Sequence, residues 1–499
     1  MDSKRIPDTC WDKDRIKMRT YLVRYSEIGL KSKKTRNVME TRLITNATKM
    51  IERNNKKATV TKERGRIYFF SNDDISNELE RIMGIKTFSE VIGIEFSELE
   101  EILSKGKKLY KDVVSGKTFA VYSRRQGIHN FSSMDIDRLL GDILQPFSAG
   151  VDLKHPQVKI ELEIRENNCY FSLNRKNGPG GLPIGTEGKL ISLISGGIDS
   201  PVSTWMMLKR GSPVDMIFVS LAPPLDVREF LTKAKILYDQ WYAGYNPRIF
   251  IVDATRLIED YLYAGKMKYA NVSYKKMLYN IGEKLAELTN SNGIITGESS
   301  GQVSSQTPEN LFQLSTGMKY PVIRPLIGMD KDWISDFARK IGTFNNDSSD
   351  EFCALFSEKP ITRIKREELA EDLERLKSYD PTREEIVEIK GNEIDSYLDS
   401  IGKDNARIRK PEEMPEGSLI IDVRDRLSYK AWHPENALNI TYRTLNGIMD
   451  QIDKQKPIVF FCKKGLQSAN YAGKMRKLGY QAFYTDENVV RSQSIHQNP

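Results

Sequence analysis

Short apolar runs alternate with amphipathic stretches across residues 188–375 of this chain. Residues 190–194 form the first run, which is typical of a buried parallel strand. The later strand candidates are 214–221, 248–252 and 293–296, and the helix candidates are 230–241, 272–288 and 333–341. This regular order of strand and helix predicts a doubly wound parallel sheet.

Two smaller mixed regions precede this one. Residues 1–75 carry a strand candidate at 20–25, a basic loop and a long helix, which predict a small α+β module. Residues 76–180 predict a second α+β unit, with two strands joined by a polar turn at 166–168. Its strand candidates are 118–125, 158–165 and 169–173, and its helix candidates are 77–83, 99–114 and 134–147. Glycine and proline over 178–185 mark the boundary that follows.

The carboxyl-terminal region has a different pattern. Residues 376–415 are charged and contain Pro381, Pro411 and Pro415, which predict a helical connector and linker. Residues 416–490 predict a last small α/β unit. Its strand candidates are 419–423 and 457–461, and its helix candidate is 468–478.

Charge is unevenly placed in the 499 residues, whose formal net charge is +8. Residues 1–75 hold 19 Lys and Arg against 10 Asp and Glu. A basic module beside a near-neutral remainder favours a polyanionic partner, most simply nucleic acid. The candidate contacts are Lys31, Lys33, Lys34, Arg36, Arg124 and Arg125.

Composition favours a cytoplasmic enzyme without a membrane partner. Four cysteines are too few for a disulfide scaffold, and four histidines without a Cys/His cluster argue against a zinc site. No apolar run approaches the length of a membrane span, and no secretory signal is visible.

The first apolar run leads into a glycine turn, Ser195-Gly196-Gly197, followed by Asp199, Ser200 and Pro201. The glycines let the backbone approach a ligand closely, and Pro201 suits the first helical position. Free amides at a helix start bind phosphate. The lysine of a Walker A loop is missing, and a carboxylate beside phosphates needs a cation, which implies Mg²⁺.

This pattern, S-G-G-x-D-S, resembles the PP-loop of the ATP pyrophosphatases, which transfer AMP and release pyrophosphate. Residues 297–299 follow another strand of the same predicted sheet. Because ligands of such folds bind at the carboxyl ends of strands, the two turns are expected to face one pocket.

A second strand–loop–helix pattern contains Cys462. Loop amides, a helix start and the neighbouring Lys463 and Lys464 would lower the pKa of its thiol and favour a nucleophilic thiolate. The spacing C-x-x-G-x-x-S resembles the rhodanese active loop, and residues 420–424 and 433–440 resemble other rhodanese signatures.

The other cysteines differ in setting. A persulfide that gives up its outer sulfur needs a reductant or a second thiol. Cys353 could be that thiol, or could itself accept the sulfur first. Cys10 is interpreted as a tail residue and Cys169 as a core residue.

Taken in order, these regions resemble the tRNA 4-thiouridine synthetase family (ThiI) over essentially the whole chain. The segments that carry the resemblance are 24–31, 180–185, 193–202, 296–307, 324–331 and 462–468.

The resemblance implies four domains and a linker. They are a ferredoxin-like domain at 1–75, a THUMP RNA-binding domain at 76–180, a PP-loop ATP pyrophosphatase domain at 181–375, a linker at 376–415 and a rhodanese-like sulfur-carrier domain at 416–499. The first two would hold tRNA, largely through its acceptor end.

The resemblance also implies the site residues. Asp199 matches the PP-loop aspartate, Lys331 matches a lysine needed for activity, and Cys353 and Cys462 match a redox-active pair. ATP contacts are expected at the loop residues Ser195, Gly196, Gly197 and Ser200 and at Leu193, Ile194, Phe218, Val219, Lys275, Gly297 and Gln306.

The implied reaction is ATP-dependent transfer of persulfide sulfur to the uridine at tRNA position eight, through an adenylated uracil. A cysteine desulfurase would supply sulfur, a reductant would reset the cysteine pair, and a homodimer is expected. Sulfur donation to the thiazole of thiamine is a second implied role.

The chain departs from the family pattern at three places. Ser32 stands where glycine is usual, and the sequence around Cys353 matches only loosely. Lys275 stands where arginine is common, which keeps the charge but loses the planar fork.

Three alternatives stay open at this point. One is another PP-loop enzyme acting on a carboxylate or an amide nitrogen, although no ammonia-generating domain is visible. Another is a sulfur carrier that serves thiazole synthesis only. The third is a non-catalytic RNA-binding protein, which intact motifs at both loops disfavour.

Overall fold

The computed structural model describes most of the chain. The described residues are 18–63, 65–220, 225–254, 267–344, 361–375, 386–405, 414–424, 426–440, 452–462 and 466–495. The chain divides into two compact units, of which the first holds Met1–Glu187 with two short segments, Lys209–Gly211 and Ala243–Tyr245. Within the described ranges, no helix is long and apolar enough to cross a membrane.

The amino-terminal unit is built on one eight-stranded sheet, in the order β2-β3-β1-β4-β8-β7-β5-β6. Its strands are β1 (Arg19–Arg24), β2 (Thr59–Glu63), β3 (Arg66–Ser71), β4 (Thr87–Glu95), β5 (Thr118–Gln126), β6 (Gly150–Val151), β7 (Val158–Arg165) and β8 (Asn168–Asn177). Its helices are α1 (Lys33–Arg53), α2 (Ser76–Leu79), α3 (Leu99–Tyr110) and α4 (Ser133–Leu144), and short 3₁₀ turns lie at Glu27–Leu30 and Gln145–Phe147.

Strand β4 joins the two halves of this sheet. It pairs antiparallel with β1 on one side and with β8 on the other. One buried apolar cluster packs α1 against β1 and β3, and a second packs α3 and α4 against β5, β7 and β8. Strand β4 was not predicted from the sequence, whereas β1 and β8 on either side of it were.

Local signals explain where the helices of this unit begin. The side chain of Ser132 accepts a hydrogen bond from the backbone N–H of Asp135, and the Asp135 carboxylate accepts one from the backbone N–H of Ser132, which forms a capping box before α4. Glu98 and Glu101 form the same arrangement before α3. The predicted helix at 77–83 is shorter in the structure, where α2 ends at Leu79.

The second unit contains a six-stranded sheet in the order β13-β12-β9-β10-β11-β14. Its strands are β9 (Leu190–Leu193), β10 (Val214–Ser220), β11 (Arg248–Asp253), β12 (Ile294–Ile295), β13 (Val322–Ile323) and β14 (Ile386–Lys390). Its helices are α5 (Asp199–Lys209), α6 (Leu225–Trp241), α7 (Ala270–Thr289), α8 (Pro308–Ser315), α9 (Lys331–Ile341), α10 (Arg366–Glu374) and α11 (Ile394–Asn405). Shorter 3₁₀ turns lie at Met267–Tyr269, Ser304–Gln306 and Gly391–Glu393.

The first five strands of this sheet are parallel, which confirms the predicted doubly wound architecture. Strand β14 is the exception, because it pairs antiparallel with β11 at the sheet edge. The prediction of a linker over 376–415 is therefore wrong for residues 386–390. Three of these five residues are apolar, but charged residues flank them on both sides, and only Ile389 is buried at the sheet edge.

The last region of the second unit has a four-stranded parallel sheet in the order β16-β15-β17-β18. The strands are β15 (Leu419–Asp422), β16 (Leu438–Asn439), β17 (Ile458–Cys462) and β18 (Ala482–Asp486). The helices are α12 (Arg426–Ala431), α13 (Leu466–Lys477) and α14 (Glu487–Ile495). All five residues of β17 are buried, as expected for an interior strand.

Candidate active site

The turn between β9 and α5 folds back on itself at the carboxyl end of an interior strand. The backbone N–H of Ser195 donates to Ser200 Oγ at 2.9 Å, and that of Gly197 donates to Ser195 Oγ at 3.3 Å. Helix α5 begins at Asp199, so Pro201 occupies the third helical position rather than the first. The first backbone amides of α5 have no acceptor within the helix, and such amides bind phosphate oxygens.

Two predicted catalytic residues meet at this turn. Lys331 Nζ lies 2.8 Å from Asp199 Oδ1, although the residues are 132 positions apart in the chain. The Asp199 side chain is 9% exposed and that of Lys331 is 49% exposed. The pair is thus buried on the aspartate side and open to solvent on the lysine side.

Gln302, to which the sequence assigned no role, completes the surroundings of Asp199. Gln302 Nε2 donates to Asp199 Oδ2 at 2.9 Å. Both carboxylate oxygens of Asp199 are therefore engaged, one by a cation and one by an amide. Gln302 lies in an irregular turn, where no periodicity signals a function.

The predicted approach of Gly297 to the loop is close. A Cβ at this position would lie 2.6 Å from the backbone nitrogen of Ser200, so a side chain would displace the start of α5. Gln306 braces the same turn, because its Oε1 accepts a hydrogen bond from the backbone N–H of Ser299 at 3.0 Å. The structure thus brings the turns after β9 and β12 together, as predicted from the sheet edge.

The remaining predicted ATP contacts lie along this edge. Leu193 ends β9, and its register partner Ile217 directly precedes Phe218 and Val219 in β10. The Phe218 ring stacks on that of Phe230 with centroids 4.5 Å apart. These side chains provide an apolar wall beside the polar turn.

Lys275 belongs to a buried ionic cluster behind the turn. Glu298, 4% exposed, accepts hydrogen bonds from Arg324 Nε at 2.8 Å and from Tyr279, and Lys275 Nζ lies 3.5 Å away. Burial by itself raises the pKa of Glu298, but Lys275 and Arg324 together hold this pKa below its ordinary value. The cluster fixes the residue that directly follows Gly297.

Cys462 ends β17 in the last sheet. It is 4% exposed, and its Sγ lies 3.6 Å from Ser468 Oγ on α13. Ser468 Oγ donates to the carbonyl oxygen of Thr485 at 2.8 Å, which orients the hydroxyl. Lys463 and Lys464, predicted to lower the pKa of this thiol, lie outside the described residues, as does Cys353.

The other two rhodanese-like segments meet beside β17. Arg424 Nε donates to Asp422 Oδ1 at 2.9 Å, and Arg424 Nη1 lies 2.9 Å from Glu487 Oε2. Asn439 Nδ2 donates to the carbonyl oxygens of Asp422 and Arg424. The three segments singled out from the sequence therefore form one structure. Sequence reasoning missed the role of Arg424, which lies on its own after a strand.

The predicted core cysteine and the predicted basic contacts lie in the amino-terminal unit. Cys169 is a free, fully buried thiol, as expected, and burial raises its pKa. Lys31, Lys33 and Lys34 are exposed. The basic loop is shorter than predicted, because α1 already begins at Lys33 after the cap Ser32.

The second basic pair ends β5. Arg124 is exposed, while Arg125 Nη1 donates to the carbonyl oxygen of Gly127 at 3.1 Å and lies 2.9 Å from His129 Nδ1. The His129 ring stacks on Phe131 with centroids 5.0 Å apart. Arg125 is thus held by the loop that follows β5, and Arg124 is the exposed member of the pair.

The fold and the site define a chain with a PP-loop ATP pyrophosphatase domain and a rhodanese-like domain. Its amino-terminal unit is of a type found in RNA-binding proteins. Four family models match in this order. They are the ThiI ferredoxin-like domain at 20–89, the THUMP domain at 96–174, the thiamine biosynthesis protein (ThiI) at 185–377 and the rhodanese-like domain at 406–488. The chain belongs to the ThiI family of tRNA sulfurtransferases.

Individual relatives agree with this assignment. The tRNA sulfurtransferase of Thermoplasma acidophilum is 42% identical over 469 residues, which cover 94% of this chain and 95% of the relative. A probable tRNA sulfurtransferase of Saccharolobus solfataricus is 41% identical and covers 73% of this chain and 98% of its own length. The crystal structure of a 4-thiouridine synthetase–RNA complex with bound ATP is 30% identical, with a TM-score of 0.64, and covers 74% of this chain and 100% of that chain.

Proposed function

We propose that this enzyme converts the uridine at tRNA position eight to 4-thiouridine, using ATP and a persulfide on Cys462. The observation that carries the proposal is the ion pair of Asp199 and Lys331 at the start of α5, inside a turn of phosphate-binding shape. The ATP-bound 4-thiouridine synthetase to which this chain is similar supports ATP as the activating substrate.

In the first step, the uracil O4 attacks the α-phosphorus of ATP. The bond to the pyrophosphate oxygen breaks, pyrophosphate leaves, and the uracil N3 proton passes to solvent. Lys331 lies where it can stabilise charge that develops on the phosphate oxygens. Loop residues Ser195–Ser200 hold the phosphates, and Gly297 and Gln306 shape the opposite wall of the site.

The residues around Asp199 fit a Mg²⁺ ion that is held mainly by the nucleotide. No group of three or more His, Cys, Asp or Glu side chains that could hold a metal occurs in the described part of the chain. One carboxylate together with substrate phosphates is a usual Mg²⁺ ligand set. Mg²⁺ would neutralise phosphate charge beside Asp199.

In the second step, the outer sulfur of a Cys462 persulfide attacks C4, the C4–O bond breaks and AMP leaves. The Cys353 thiolate then attacks Cys462 Sγ, which releases 4-thiouridine and leaves a Cys353–Cys462 disulfide that a reductant opens. A cysteine desulfurase would reload Cys462. The cytoplasmic location, the homodimer and a second role in thiazole synthesis stay predictions.

The decisive experiment is mass analysis of tRNA nucleosides. The full chain is incubated with unmodified tRNA, ATP–Mg²⁺, cysteine, a cysteine desulfurase and a reductant. We expect a mass gain of one sulfur for one oxygen at the uridine of position eight, with release of one pyrophosphate for each thiolation. Absence of 4-thiouridine with an active desulfurase would overturn the proposal.

A further inference from the structure

Gln302 lies in the turn after β12 with its amide held in one orientation. Its Nε2 donates to Asp199 Oδ2, while Lys331 Nζ contacts Asp199 Oδ1. A carboxylate only accepts hydrogen bonds, so the amide nitrogen and not the amide oxygen faces Asp199. Gln302 Oε1 is therefore fixed as an acceptor.

This oxygen is buried and has no hydrogen-bond partner among the residues that the structure describes. Native proteins rarely leave a buried acceptor unpaired, because the lost solvation is not replaced. Gln302 Oε1 therefore has an acceptor position to offer to a ligand donor beside the reacting groups. The turn is open nearby, since a Cβ at Gly301 would meet nothing within 4 Å.

We propose that Gln302 is a specificity residue whose Oε1 accepts a hydrogen bond from N3–H of the target uracil. This inference rests on the proposed function, in which uracil O4 reacts beside Asp199 and Lys331. Uracil presents the O4 acceptor next to the N3–H donor. The site presents a donor, Lys331 Nζ, and an acceptor, Gln302 Oε1, on the two oxygens of one carboxylate.

The same arrangement disfavours cytosine. Cytosine carries an amino donor at position four and a lone pair at N3, so it would place donor against Lys331 and acceptor against Gln302 Oε1. The amide of Gln302 cannot rotate to suit it, because its oxygen would then face the Asp199 carboxylate. Asp199 thereby sets the base preference through Gln302.

The test measures binding, so that it does not depend on the chemical step. The full chain is saturated with an ATP analogue that cannot be cleaved between its α- and β-phosphates. Competition then compares tRNA carrying uridine with tRNA carrying 3-methyluridine at position eight. In the wild type, the methyl group should weaken binding about tenfold, because it removes the donor and meets Gln302.

In Gln302→Ala, the penalty of the methyl group should fall below about threefold, because the shorter side chain leaves room and no acceptor. The matched control is Gln313→Ala on α8, where the wild-type penalty should persist. ATP affinity should be unchanged in Gln313→Ala. Thiolation of ordinary tRNA should fall about tenfold or more in Gln302→Ala only.

Two results would overturn the inference: no penalty in the wild type, or the same penalty in Gln302→Ala as in the wild type. A rise in the dissociation constant of ATP with an unchanged methyl penalty would assign Gln302 to the nucleotide and also overturn it. Failure of the proposed function is seen separately, as absence of 4-thiouridine in the mass analysis of the wild type.

Discussion

The PP-loop and Cys462 occupy corresponding places in two sheets and serve different chemistry. Each lies at the carboxyl end of an interior strand that has parallel neighbours, and the next described element in the chain is a helix. The first places a carboxylate between a lysine and an amide, and the second places a thiol beside a hydroxyl. The place at the end of the strand positions a reactive group in both sheets. The side chain found there, a carboxylate or a thiol, determines the reaction.

The supports of the two loops are opposite in charge. Behind the PP-loop, the buried carboxylate of Glu298 is held by Arg324 and Lys275. Beside Cys462, the buried guanidinium of Arg424 is held by Asp422 and Glu487. The cluster behind the PP-loop has two cations and one carboxylate, and this net positive charge suits a loop that receives phosphates. The cluster beside Cys462 has one cation and two carboxylates.

The largest expected effect is a complete loss of the reaction step assigned to Cys462, with the step assigned to the PP-loop retained. Cys462→Ala should abolish 4-thiouridine formation and leave tRNA-dependent pyrophosphate release intact, because only sulfur transfer uses this thiol. Radiolabelled pyrophosphate release and nucleoside mass analysis measure the two steps. Cys169→Ala, which removes the buried core thiol, is the control and should keep both. Thiolation that survives in Cys462→Ala would refute the carrier role.

The reciprocal change acts on the other loop. Asp199→Asn should lower pyrophosphate release by a factor of about 10² to 10³, because the charge that positions Lys331 is lost. Persulfide loading of Cys462 by the desulfurase should be unchanged, as measured by intact-protein mass. Asp336→Asn removes an exposed carboxylate on α9 and serves as the control. Unaltered release would contradict the PP-loop assignment.

The support of the PP-loop can be tested through stability. Glu298→Gln leaves Arg324 and Lys275 without their buried counter-charge, which should cost about 3–5 kcal/mol and lower the Tm. Calorimetry should compare it with Glu388→Gln, an exposed partner of Arg248 whose loss should cost less than about 1 kcal/mol.

The pH dependence of this difference has a definite sign. The folded pKa of Glu298 is lowered relative to the unfolded value of about 4.3, so its contribution is complete above that pH. It is lost as the pH falls through the lower, folded pKa. The gap in Tm between the wild type and Glu298→Gln should thus be full at neutral pH and shrink in acid. A gap that grows in acid would contradict the charge assignment.

The smallest expected effect concerns the surface that would bring tRNA to both loops. Replacing Lys31, Lys33 and Lys34 by alanine should weaken tRNA binding about tenfold and reduce the slope of log K against log salt by about 2. Filter binding at several salt concentrations measures both. Alanine at the exposed Lys430, Lys454 and Lys456 makes the same charge change in the last region and should leave the affinity unaltered.

The sequence predicted most of the fold where apolar runs were long or regular. Strand β7 was predicted with its observed bounds, and β10, β11, α7 and α13 to within two residues. Strands β13 and β16 were not predicted, because a strand of two residues is too short to show an alternating pattern. Strand β14 escaped because its apolar residues lie among charges at a sheet edge.

The parts of the candidate site that belong to a sequence motif could be predicted. The glycine turn and Asp199 announce a phosphate site, and spacing placed the turn at Gly297 on the same edge. The family resemblance marked Lys331 only as a lysine needed for activity, and its contact with Asp199 was not predicted. Gln302 was beyond reach, because its role depends on which amide atom faces a carboxylate.

Strand β4 determines whether the ferredoxin-like and THUMP modules can be separated into independent fragments. The ferredoxin-like family model ends at residue 89, inside β4, and the THUMP model begins at 96, just after it. Strand β4 forms backbone hydrogen bonds with β1 of the first module and with β8 of the second. Removing either module would therefore expose one edge of β4. They should melt in one cooperative transition, and a fragment that begins at residue 76 would keep β4 paired with β8 but would expose the edge of β4 that pairs with β1.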